Sequence, residues 1–174
     1  MQEIRDLVAG LRSRWKDRRP ATHRGEPVPF KLRCAFGVSS GGWLDMPPGL
    51  SLRVDYDCFQ RACGEALLFF DDACRQWGLR TLDGARVLER TEGYFSSRSA
   101  DARREDLVIG EFFGDCGLLL LRCDLGAVDF AAVVVANAID RRVEWCVAAP
   151  DFASFLSRDA LGEGDRYWAM SGVG

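Results

Sequence analysis

Apolar residues recur at steps of three and four from Ile4 through Leu7, Val8 and Leu11 to Trp15, which predicts an amphipathic helix that closes near Arg19, ahead of Pro20. Residues 20–29, PATHRGEPVP, hold three prolines and a glycine and read as a linker. A period of two follows in Leu32, Cys34, Phe36 and Val38, and again in Leu50, Leu52, Val54 and Tyr56; both stretches predict strands. Between them, SSGGWLDMPPG is a loop. Helical spacing returns at Phe59, Ala62, Cys63, Ala66, Leu67, Phe70, Ala73, Cys74 and Trp77, predicting one long helix over Asp57 to Trp77 that stops at Gly78.

The second half changes character. Asp83 can cap a short helix over 83–91, and the polar Ser96 to Asp106 reads as an exposed loop. Leu107–Ile109, Gly117–Cys123, Phe130–Ala136 and Arg142–Ala148 carry strand signals, with Asn137–Arg141 as the turn into the last. The run FAAVVVA is continuous and β-branched, which suits a strand covered on both faces. A closing helix starts near Asp151, with Phe152, Phe155 and Leu156 as its buried edge.

The chain has 174 residues, 48% of them apolar, enough for one domain with a sizeable core. The net charge of -3 argues against nucleic acid as a global partner. Charge is unevenly placed: residues 1–24 hold seven basic side chains against three acids, so they sum to +4 and the rest to -7. That basic start is read as a solvated helix face, with a membrane surface or RNA as its rivals. No apolar run reaches membrane-spanning length and no signal peptide is legible, so a reduced cytoplasmic protein is expected.

Candidate chemistry is thin. Seven cysteines show no Cys-x-x-Cys pair, and with His23 as the one histidine a zinc site is not expected. Gly114-Asp115-Cys116-Gly117 runs into four leucines with no Gly-Lys-Ser/Thr, so it reads as a hairpin turn rather than a phosphate loop. Cys116 would need a positioned base to act as a nucleophile, and His23 sits far away in the linker sequence. The neighbouring carboxylates Asp71-Asp72 and Glu105-Asp106 point apart on adjacent residues and read as solvated acids. Trp43, in its Gly/Pro loop, is either an exposed binding anchor or a plug at the core's edge. No cofactor is expected.

LVIGEFFGDCGLLLLRCD resembles the central signature of the SUKH superfamily: a hydrophobic strand ending in Ile109-Gly110, a turn at Gly114-Asp115, then an apolar strand from Leu118 to Asp124. DFASFL, Asp151 to Leu156, is similar to the family's closing helix, and Trp77-Gly78 stands where the family has an Asn-Gly-like turn. The resemblance covers about 58–158 and leaves 1–57 outside. It implies an α+β fold with a mixed or largely antiparallel sheet flanked by helices, here extended by an N-terminal helix and hairpin. The corresponding division is 1–29 as helix and linker and 30–174 as a single domain.

The resemblance also implies a non-catalytic binding role. Many bacterial members look like immunity proteins that neutralise a cognate toxin, and fungal relatives act in cell-wall regulation. An acidic exterior would suit a basic toxin. On charge and expected exposure, the contact residues are Trp43, Asp71, Asp72, Glu92, Glu111 and Asp115. Two other classes stay open: an adaptor docking through its basic first helix, and a small enzyme using Cys116, Cys34 or a carboxylate.

Overall fold

In the computed structural model, residues 2–38 and 50–170 are described. The chain runs α1 (Gln2–Arg14), β1 (Arg19–His23), β2 (Glu26–Phe36), α2 (Val54–Cys63), β3 (Ala66–Phe70), β4 (Leu79–Thr81), α3 (Gly84–Ser97), β5 (Asp106–Phe112), β6 (Leu118–Arg122), β7 (Val133–Ala136), β8 (Cys146–Ala149) and α4 (Phe152–Leu161). The eight strands lie in sequence order, each antiparallel to the next. The fold is α+β, an open antiparallel sheet flanked by helices, and no parallel pair occurs among the described strands.

Three predicted elements are corrected. The Pro/Gly stretch 20–29 is not a linker but a β-hairpin: Arg24 and Gly25 have φ of 52° and 80°, the two left-handed positions of a tight turn, and His23 pairs with Glu26. Its prolines are tolerated because Pro20 lies on the edge strand β1, and Pro27 and Pro29 lie in the part of β2 that pairs with β1 but has no β3 partner beside it, where missing N–H donors cost little. The long helix over 57–77 is broken. α2 ends at Gly64 (φ 60°), whose N–H donates to the Gln60 carbonyl; the chain then reverses into β3, and Trp77-Gly78 leads into β4 rather than ending a helix. LSLRVDY is not a strand either: 50–53 are coil, and Val54, Asp55 and Tyr56 open α2. There buried Asp55 accepts from the amides of Tyr56 and Ala153 and ties the start of α2 to α4.

Residues opposite one another on paired strands share a face, so register assigns the sheet's two sides. Leu68, Leu79 and Phe112 form one row, with Thr81, Gly110, Leu119 and Val135 in the next. This side is dry. Phe155 of α4 packs on Trp168 of the short turn that follows it, whose ring lies 5.3 Å from Phe112, and α2 joins through Phe59 against Phe152 at 4.9 Å. α1 completes the layer by burying Ile4, Val8 and Leu11, and Trp15 just past its end lies edge-on to Phe69 at 4.9 Å. Residues 2–29 therefore pack into the same core as the rest, and the predicted stripe of α1 is spent there.

The opposite side is only half covered. α3, capped by Asp83 as expected, lies over β5 and buries Val87, Thr91 and Tyr94. Thr91 Oγ1 accepts from the Val108 amide at 2.9 Å. Beneath this cover Val108, Leu120 and Val134 are buried. At its edge Asp106, 2% exposed, pairs with Arg142. Arg142 also stacks on Trp145 and donates to the Asp101 carbonyl, fixing the segment between β7 and β8. Replacing Asp106 with Ala strands that guanidinium, and the loss expected is roughly 3–5 kcal/mol, measurable as a lower urea midpoint.

Candidate functional site

The turn at Gly114-Asp115-Cys116-Gly117 is a hairpin turn between β5 and β6, as its glycines predict. Gly114 has φ 92°, and a Cβ there would lie 2.2 Å from the Gln76 carbonyl oxygen. Side chains are excluded by both conformation and space. Asp115 accepts from the Gly117 amide and pairs with Arg166. Arg166 lies over the Trp77 ring at 4.4 Å and donates to the Phe113 carbonyl. The turn is thus clamped onto the C-terminal segment. His23 also packs on Trp77, at 4.9 Å, and bonds Asp165 through Nδ1 at 2.6 Å. The imidazole is engaged in joining the β1–β2 hairpin to this clamp.

The remaining candidate residues are dispersed. Trp43 lies outside the described residues. Asp71 is 1% exposed, contrary to its selection as a surface acid; its carboxylate caps the loop after β3 by accepting from the amides of Ala73 and Cys74. Asp72 faces Arg18 at 2.7 Å and Arg33 at 2.8 Å. Partial burial works upward on its pKa, and the two guanidiniums more than offset that, holding it below the usual carboxylate range. Glu111 pairs with Arg90 of α3. Glu92 is exposed on α3 and bears no ion pair among the described residues. Asp72, Glu111 and Asp115 each bind a different neighbouring element, so no shared acidic patch forms.

What these contacts build instead is a charged, half-exposed sheet face beyond the edge of α3. Register aligns Ala35, Leu67, Arg80, Glu111 and Leu118 across five strands on this side. Arg80 donates twice to Glu65 at 3.2 Å, Arg86 reaches the same carboxylate at 2.5 Å, and Arg90 holds Glu111. Two adjoining clefts of about 380 and 260 Å³ share Arg80, Arg90 and Glu111 as their common wall. Exposed Cys116 borders the smaller one, with Leu118 beside it. Three arginines held at fixed positions, flanked by the apolar side chains of Leu67 and Leu118, form a surface that can receive another protein's carboxylates and apolar groups. Arg86 and Arg90, four apart on one helix, are visible in the sequence as a basic edge. Glu65 and Arg80 meet them only through strand pairing.

The thiols divide by burial. Cys34, Cys63 and Cys123 are buried and pushed up to about 12 by desolvation, so they pack as small apolar groups. Among the described residues no group of three or more His, Cys, Asp or Glu is placed to hold a metal ion, and no helix is long and apolar enough to cross a membrane. No family model, curated protein or solved structure matches the chain.

One buried acid stands apart. Asp159 of α4 is 3% exposed, and its Oδ2 has no hydrogen-bond partner among the described residues. Desolvation raises its pKa to about 7, with Arg166 pulling the other way. A folded-state value above the unfolded one means the group's contribution to stability is present below about pH 4 and lost as pH rises through 7. Asp159→Asn is therefore expected to be more stable than the parent at pH 8 by on the order of a few kcal/mol, with the difference shrinking towards pH 5, read by urea unfolding at both values. Gly114→Ala is expected to cost roughly 2–4 kcal/mol by the same assay, from strain and collision with Gln76.

Proposed function

We propose that this chain is a non-catalytic binding protein that neutralises a protein toxin by direct contact, as the resemblance of its β5–β6 segment to the SUKH superfamily implies. The observation that supports a binding role is the half-covered sheet face, where Arg80, Arg86 and Arg90 are held in place by Glu65 and Glu111 and flanked by Leu67 and Leu118. Arginines whose geometry is already set lose less conformational freedom when a partner's carboxylate arrives. The apolar positions on either side exclude water from those contacts. The face is built on strands and one helix, so it meets its partner with little rearrangement.

This reading moves the contact surface away from the acids chosen on charge. Asp71 is buried, and Asp72 and Asp115 are engaged at the sheet's end. Glu111 stays in the proposed surface, as the carboxylate that orients Arg90.

The experiment is growth rescue combined with complex isolation. Secreted toxins encoded beside this gene are expressed with and without the chain. Rescue together with a stoichiometric complex is the expected result. Arg90→Ala and Leu118→Asp are expected to weaken the complex roughly 30-fold each while leaving the fold intact by circular dichroism. Failure of every such toxin to bind or be neutralised would remove the toxin reading. Binding and rescue untouched by both substitutions would remove this surface.

A further inference from the structure

We infer that the chain pairs with a second copy of itself through α1, with the two helices antiparallel about a two-fold axis beside Gly10. An open groove of about 750 Å³ runs between α1 and α4, on the helix-covered side of the molecule and away from the proposed toxin surface. Leu7, Gly10 and Arg14 of α1 and Ser157, Ala160 and Leu161 of α4 line it. Leu161 is 84% exposed on its lip.

Gly10 is the first clue to the occupant. It stands mid-helix, where glycine is unfavourable, and a Cβ there would meet nothing within 4 Å. No contact described within the chain requires it. A missing side chain at this point lets a second helix approach closely, nearer than the usual distance of about 8–10 Å between packed axes.

Charge then selects which helix. The groove-side acids Glu3 and Asp6 lie at the start of α1 and carry no ion pair among the described residues. Arg14 lies at its end, in an exposed pair with Glu163 that leaves other guanidinium donors free. In an antiparallel two-fold contact centred on Gly10, Asp6 of each copy faces Arg14 of the other. A parallel arrangement would set like charges together. An extended peptide fits less well, because helical walls spend their backbone donors and acceptors internally and offer it no ladder. Two short helices and Leu161 give a small interface, so association in the micromolar range is expected.

Sedimentation equilibrium of the full chain tests this. The parent is expected to dimerise, and Asp6→Arg, Arg14→Asp and Gly10→Leu each to weaken the dimer roughly tenfold or more. Gly10→Leu should do so without lowering the thermal midpoint, since leucine favours the helix. Each charge reversal alone sets like charges against each other at both ends of the contact. Mixing the Asp6→Arg chain with the Arg14→Asp chain restores opposite charges at both ends, so the mixture is expected to recover a heterodimer where neither chain pairs well alone. The double variant should recover a homodimer. A parent that stays monomeric throughout overturns the inference and leaves the groove to a different occupant. So does a dimer indifferent to all three substitutions, or a mixture that fails to recover.

Discussion

The β5–β6 hairpin lies well inside the sheet, and over most of its length, short of Glu111 and Leu118, both of its faces are dry. Leu107, Ile109, Leu119 and Leu121 need the layer of α1, α2 and α4; Val108 and Leu120 need α3. Those two demands shape the molecule. Because every strand pairs with its sequence neighbour, the sheet grows outward from this hairpin in both directions until the apolar cover runs out. At β2–β4 the first side is still roofed by helices and the second is not. The row that carries Arg80 and Glu111 is what remains when α3 ends.

The same constraint explains why polar groups cluster where they do. Asp106 and Arg142 sit where the roof of α3 meets the β7–β8 connection, and Asp115, Arg166, Trp77 and His23 where the sheet's end meets the turn that follows α4. Both are seams between covered and open surface, where a charge can find a partner and keep some contact with water. Asp159 lines a small cavity with Trp77 and Arg166 of the second seam, yet it is buried and lacks a donor for Oδ2 among the described residues.

Several elements are legible in the sequence because local chemistry and tertiary packing agree there. The stripe of α1, the caps Asp83 and Asp151, and the Gly114–Gly117 turn each have one physical solution. The 57–77 segment does not. Phe, Leu and Ala at Phe59, Ala66, Leu67 and Phe70 satisfy a helical spacing and a fully buried strand equally, and only Gly64 marks the break. Residues 20–29 mislead because proline signals a linker locally, whereas an edge strand tolerates it once a partner supplies the other half of the hairpin. The site is less legible still. Arg80 and Glu65 are fifteen residues apart and meet through the β3–β4 reversal, which a continuous helix over 57–77 would remove.

Net charge is the weakest guide, for a physical reason. The sequence is rich in arginine as well as acid, and folding places many carboxylates against guanidiniums: Asp72 with Arg18 and Arg33, Glu65 with Arg80 and Arg86, Asp115 with Arg166. Exposed pairs of this kind add little stability, each about 0–1 kcal/mol. Their effect is on geometry: each fixes an otherwise mobile side chain and cancels its long-range field. A surface built this way attracts a partner weakly from a distance and discriminates sharply on contact. Recognition on the Arg80–Glu111 face would then depend on the partner matching fixed donor positions rather than on its being basic, and the rate of encounter would vary little with salt.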